Sequence, residues 1–172
     1  MTTRVPASMV AADVATQAEL DAASLLKQTV QTVSGAVATG TAIIPRDDTI
    51  PQITEGTEFL TRAITPTAAA NILEVEVVLH VSCSVTSDVV AALFRDSTAN
   101  ALAVASQYAT TAQGVMGIVL THRVAAGSTS PTTFRVRAGP ISAGTVTVNG
   151  AAGGRYYGGA YASSITVREL LP

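Results

Sequence analysis

Tyr156, Tyr157 and Tyr161 stand in one short segment, Gly153-Gly154-Arg155-Tyr156-Tyr157-Gly158-Gly159-Ala160-Tyr161, which holds three of the chain's 4 tyrosines. Tyrosine and arginine are the residues most enriched at binding hot spots, and an aromatic face also stacks on sugars and apolar rings. Arg155, Tyr156, Tyr157 and Tyr161 are therefore the candidate contacts to a partner or receptor. The same residues suit a second role, filling a subunit interface or covering a sandwich edge while the glycines permit tight turns. No helical segment follows the glycine-rich stretch, so it does not read as a phosphate cradle.

Other chemistry is sparse. His80 and His122 fall in strand-like segments, with no His, Cys or paired carboxylate at metal-ligand spacing. Asp47-Asp48 is the only adjacent acidic pair, and hard oxygen ligands of this kind would suit Ca²⁺. Bracketed by Pro45 and Pro51, the pair reads instead as a turn in which Asp caps backbone amides. The single cysteine, Cys83, continues an apolar face and reads as a small core residue. There is no nucleophile elbow, P-loop or dinucleotide fingerprint. The expectation is a non-enzyme with no cofactor and no metal.

Composition narrows the partners. Of 172 residues, 13% are charged, the formal net charge is -2 and Lys27 is the sole lysine, so nucleic acid and anionic membrane lack an electrostatic basis. No apolar run approaches the roughly 18–20 residues of a membrane span, and residues 1–6 have no apolar core of a signal peptide. Only 4% of residues are aromatic and none is Trp, so the core must be built from Val, Ile, Leu and Ala. That favours β-branched sheet packing.

Three regions must position these residues. Residues 1–15 show neither helical nor strand period and read as an extended arm. Residues 16–40 read as a helix: Thr16 and Glu19 are spaced as a capping box, and Leu26, Val30, Val33 and Val37 recur four, three and four apart. A lone helix of this length is marginal in water, so the narrow stripe predicts a self-associating coiled-coil stalk. In residues 41–172 the period becomes two. Strand-like segments at 59–64, 72–84, 89–95, 101–108, 115–124, 133–138, 145–148 and 164–170 alternate with turn-forming clusters. This predicts a mainly β protein, with an antiparallel β-sandwich or jelly-roll head behind a short N-terminal helix.

Two further stretches carry a resemblance. Ile44-Pro45-Arg46-Asp47-Asp48-Thr49-Ile50-Pro51-Gln52-Ile53-Thr54-Glu55-Gly56-Thr57 and Leu93-Phe94-Arg95-Asp96-Ser97-Thr98-Ala99-Asn100-Ala101 resemble the C-terminal module of tail-fibre and other virion-appendage proteins of tailed bacteriophages. The ending, Gly158-Gly159 and then Ser163-Ser164-Ile165-Thr166-Val167-Arg168-Glu169-Leu170, is similar to that module's closing strand. The opening Met1-Thr2-Thr3-Arg4-Val5-Pro6-Ala7-Ser8-Met9 also resembles fibre proteins that attach to the particle by their N-termini. The resemblance implies a homotrimer made in the host cytoplasm and carried in the virion, docked on other virion proteins through Arg4, Val5, Pro6 and Met9. It also implies a head that meets a host cell-surface glycan, and no catalytic residues. Almost no shaft separates the predicted helix from the head, which keeps a head fibre, capsid decoration or connector protein as the alternative to a tail fibre.

Overall fold

The computed structural model describes residues 24–172. Their strands are β1 (Leu26–Ser34), β2 (Ala38–Gly40), β3 (Thr57–Ile64), β4 (Ile72–Cys83), β5 (Asp88–Arg95), β6 (Ala103–Tyr108), β7 (Val115–Ala125), β8 (Thr132–Pro140), β9 (Val146–Val148), β10 (Gly150–Ala151), β11 (Gly154–Arg155) and β12 (Ser163–Leu170). One sheet runs β1-β12-β4-β9-β2 with β7 on the other edge of β4; the second runs β3-β8-β5-β6. Every pairing is antiparallel. The layers β1-β12-β4-β7 and β3-β8-β5-β6 make an antiparallel β-sandwich of jelly-roll type.

The long strand β4 organises the first sheet. Its residues 72–78 pair with β12 and its residues 81–83 with β9, so the two short strands share one side of it. Alternation decides the faces. Leu73, Val75, Val77, Leu79, Val81 and Cys83 turn inward and are buried against Val89, Ala91, Leu93, Phe134 and Val136 of the facing sheet. Fully burying each Val or Leu contributes about 1.5–3 kcal/mol, which makes this layer the main source of stability. Cys83 is part of it, as its place in the apolar face requires.

The second sheet is buried on both sides. The continuous apolar run of β5 turns Val90, Ala92 and Phe94 outward, where Ile44, Ile53, Ala101 and Ile141 cover them. The segment 41–56 therefore lies over this outer face. It passes so close to β8 that a Cβ on Gly139 would stand 2.2 Å from the Ala42 carbonyl oxygen. Arg46 reaches from it to Asp88, Nη1 to Oδ2 2.6 Å. Between this cover and β6 remains a cleft of about 470 Å³, lined by Pro45, Ile50, Pro51, Val90, Val104 and Ser106.

The helix expected over 16–40 is corrected wherever it can be seen: 26–34 and 38–40 are strands. The same letters carry a period of two. Gln28, Val30, Thr32 and Ser34 turn toward the interior, while Thr29, Gln31 and Val33 are exposed. Thr29, Val30, Thr32 and Val33 are β-branched, and pairing with β12 gives the backbone a ladder that a lone helix would lack. The heptad spacing of Leu26, Val30, Val33 and Val37 is coincidental and makes no stripe. Residues 16–23 and the arm 1–15 lie outside the described residues.

Candidate functional site

The tyrosine segment closes the stretch between β9 and β12, and its shape is set by backbone the side chains alone would not predict. Asn149 ends β9 with φ +60°, after which β10 and β11 form a two-residue hairpin turning on Ala152 and Gly153 (φ +51° and +75°). The Tyr156 N–H donates to the Asn149 carbonyl, 3.0 Å. A single turn of 3₁₀ helix over Tyr157–Gly159 follows, with positive φ at Tyr157, Gly158 and Gly159. Glycine is required where the loop meets the link between β1 and β2. A Cβ on Gly35 would stand 2.0 Å from the Gly159 carbonyl oxygen.

Asn149 anchors the whole arrangement. Its side-chain amide donates to the carbonyls of Ser34 (2.7 Å) and Ala36 (2.8 Å), and its Oδ1 accepts from the Ser163 hydroxyl (2.7 Å). Ser163 Oγ in turn accepts from the His80 N–H, 2.9 Å. One buried side chain thus ties together the link from β1 to β2, the start of β12 and the upper part of β4.

The rings form a continuous surface over the outer face of the six-stranded sheet. His80 turns outward from β4, and Tyr161 stacks on it with centroids 4.2 Å apart and planes at 26°. Tyr157 meets Tyr161 edge-on at 6.0 Å, and Tyr156 meets Tyr157 edge-on at 6.0 Å. Burial, then the neighbouring Tyr157, pushes the Tyr161 hydroxyl above its ordinary pKa. Tyr157 is 79% exposed and Tyr156 38%. The Arg155 side chain stands beside Gly159 at the rim. The four predicted residues Arg155, Tyr156, Tyr157 and Tyr161 do converge, and His80 joins them. The segment lies over the sheet face, at the end where β12 begins.

Further along the same face the chemistry changes. Glu74 lies between Arg123 and Arg168 in adjacent strands. Arg123 Nε is 2.6 Å from Glu74 Oε2, and Arg168 Nη1 is 2.8 Å from Glu76 Oε2 and 3.5 Å from Glu74 Oε1. Between the charged end and the rings, Val119 (62%) and Val33 (58%) are exposed.

The remaining candidates separate. Val30 packs against the core, Val33 is on the outer face, Leu26 is exposed at the start of β1 and Val37 is half-buried before β2. Arg4, Val5, Pro6 and Met9 lie outside the described residues. Asp47 caps a turn, its Oδ1 accepting the Thr49 N–H (2.8 Å) and hydroxyl (2.5 Å), which lower its pKa. Among the described residues no group of three or more His, Cys, Asp or Glu could hold a metal, and no helix is long and apolar enough to cross a membrane.

Sequence reasoning missed one site altogether. Glu169, on the last strand, is fully buried and accepts from Gln28 Nε2 (2.5 Å), the Thr67 N–H (2.7 Å) and hydroxyl (2.8 Å), the Ala68 N–H (3.3 Å) and Asn71 Nδ2 (2.6 Å). Burial alone would raise its pKa, but the donors, Gln28 foremost, override this and hold it at about 2.

No curated protein matches the chain. Among solved structures it is similar to the Eiger TNF of S. frugiperda, at 11% identity and a TM-score of 0.48, over 83% of this chain and 92% of that one. It is also similar to infectious bursal disease virus, Gx strain (13%, TM-score 0.37, 84% of this chain and 42% of that), and to the enzymatically active domain of bacteriophage CBA120 tailspike protein 4 (16%, TM-score 0.29, 72% and 18%). The family model of the Pgp3 C-terminal domain matches residues 32–172, which hold both sheets except the start of β1, the Asn149 anchor and the ring surface. The chain belongs to the Pgp3 C-terminal domain family.

Proposed function

We propose that this chain is a non-enzymatic structural subunit of a bacteriophage virion: a homotrimer docked on the particle through its N-terminal segment, with the β head presented for attachment to the host surface. The observation that carries the reading is the difference between the two outer faces of the sandwich. On the four-stranded sheet the outward Val90, Ala92 and Phe94 are covered by the chain's own segment 41–56 through Ile44 and Ile53, while the edge strand β6 leaves Val104 and Tyr108 exposed. The six-stranded sheet instead leaves Val33, Val119, Tyr156 and Tyr157 at the surface. Exposed apolar side chains grouped on one face, beside an ordered charged patch, mark a protein–protein interface, and this face is where copies meet. A non-enzymatic role is supported by the carboxylates. Glu58, Glu74 and Glu76 are bound to arginines of neighbouring strands and Asp88 to Arg46 of the covering segment, so each is taken up by a separate ion pair.

Sedimentation equilibrium of the purified chain tests the assembly, with a trimer expected at micromolar concentration. A monomer there overturns it. Val119→Asp is expected to shift the population toward monomer with the fold intact by circular dichroism. Deleting residues 1–15 is expected to leave the trimer and abolish incorporation into particles.

The high exposure of Tyr157 favours a second role for the ring surface, contact with a host glycan by stacking. The same exposure is compatible with burial between copies, and adsorption measured beside trimer stability separates the two.

A further inference from the structure

Arg155 is the free charge of the ring surface. The arginines at 46, 95, 123, 135, 137 and 168 each hold a carboxylate or carbonyl oxygen. Arg62 stands on the inward side of β3 with Leu60 and Ile64. Arg155 is exposed and, among the described residues, has no hydrogen bond, ion pair or ring contact. Solvent alone can satisfy an exposed guanidinium, so it is the setting that makes a site of this one. From 138 to 167 Arg155 is the only charged residue, and the link at 35–37, against which the loop packs, carries no charge. Glu74 and Glu76, on the same sheet face, are taken up by Arg123 and Arg168. The patch is therefore positive with no counter-charge of its own, which is complementary to an anion.

The geometry puts that charge beside the rings. A Cβ on Gly159 would stand 3.5 Å from Arg155 Nη1, so the guanidinium lies over the turn that joins Tyr157 to Tyr161. At Gly158 a Cβ would meet nothing within 4 Å, which leaves the approach next to Tyr157 open. The scaffold is already ordered: Tyr161 is stacked on His80, and the Tyr156 N–H is bonded to the Asn149 carbonyl. A ligand settling here pays little to order the loop.

We propose that the ring surface takes a sugar bearing a carboxylate, a uronate or a sialate, with the apolar face of the sugar on the exposed Tyr157 ring and its carboxylate in the fork of Arg155. A planar guanidinium matches a carboxylate through two parallel N–H donors, whereas a neutral sugar leaves that fork in water. The proposal rests on the glycan reading of the ring surface and names the class of glycan.

Matched sugars test it on the full chain. Tyrosine fluorescence reads the site directly, since the chain has no Trp and three of its 4 tyrosines lie there. Trigalacturonate is expected to bind about tenfold more tightly than its methyl ester, which keeps the rings and removes the charge, or sialyllactose more tightly than lactose by a similar factor. Arg155→Gln should bring the acidic sugar down to the affinity of its neutral counterpart and leave the neutral sugar unchanged. Arg155→Lys should recover only part of the preference, because a point charge lacks the fork. Tyr157→Ala should weaken acidic and neutral sugars alike. Equal binding within both pairs, or a preference for acid that survives Arg155→Gln, overturns the proposal and leaves the glycan reading standing. Absence of binding by any of these sugars overturns both. A trimer that dissociates on Arg155→Gln would assign the guanidinium to a carboxylate of a neighbouring copy, and that too overturns the proposal.

Discussion

Tyr161 stacks on His80 at the point where the last loop meets the outer face of β4. The contact fixes the loop to the sheet, and Tyr157 and Tyr156 are built outward from it, edge to face. A stacked pair contributes about 0.5–1.5 kcal/mol beyond its buried area. Tyr161→Ala should therefore lower the unfolding midpoint by the equivalent of about 1–2 kcal/mol and free the loop. Tyr157→Ala, in an isolated subunit, should be nearly neutral. Thermal unfolding of the two variants in parallel checks the order, and equal effects would mean that the rings are not held in sequence from His80.

Asn149 is expected to be the most sensitive polar position. Asn149→Ala would leave the Ser34 and Ala36 carbonyls without their donor and keep the left-handed backbone without the residue that tolerates it, a cost of about 2–4 kcal/mol. Asn149→Asp keeps the shape but points a carboxylate oxygen at the same two carbonyls. It should be the worse of the two at neutral pH and recover on acidification as the carboxyl protonates. Denaturant midpoints at two pH values decide it. A pH-independent Asp variant would exclude the proposed contact.

How much of this was legible in the sequence depends on the range of the contacts. The strand segments read between 59 and 170 lie on β3 to β9 and β12, because alternation and turn residues are local signals. The convergence of Arg155 with the three tyrosines was legible because they are neighbours in the chain. The stretch over residues 26–40 failed because Leu26, Val30, Val33 and Val37 satisfy a helical spacing as well as a strand with exposed valines. Only the ladder to β12, which brings Val30 opposite Val167 and Val33 opposite Ser164, separates the two. Asn149 beside Gly150 is a local turn signal, but nothing local names the three segments it joins. Glu169 gave no signal of its own, since its partners Gln28, Thr67 and Asn71 are remote in sequence.

Glu169 should set the acid limit of the fold. Its carboxyl is held at about 2 against an ordinary 4.5, so the folded state binds the proton less readily than the unfolded chain. The stabilisation is therefore complete above pH 4.5 and disappears as pH falls toward 2, about 3 kcal/mol in all. Glu169→Gln places an amide nitrogen among donors and should lower stability at pH 6, with the gap to the parent narrowing below pH 4.5. Unfolding midpoints between pH 2 and 6 measure this. A gap that stays constant over that range would show that the carboxylate is not the titrating group.

The double change Tyr156→Ala with Tyr157→Ala discriminates between the two roles of the ring surface. If the rings meet host glycan, cell adsorption should weaken by about 1 kcal/mol per lost aromatic contact, while the trimer persists, because stacking on a sugar is lost only in the bound state. If they are buried between copies, the trimer should melt lower and release monomers, since truncating a buried aromatic costs about 3–5 kcal/mol. Tyr161 stays in place in this variant, so the stack on His80 still holds the loop and a change in either readout belongs to the two outer rings. Melting temperature and adsorption are to be measured on one preparation. Unchanged adsorption per folded trimer, together with lost trimer stability, would assign the rings to the subunit interface. Weakened adsorption by an intact trimer would assign them to the receptor.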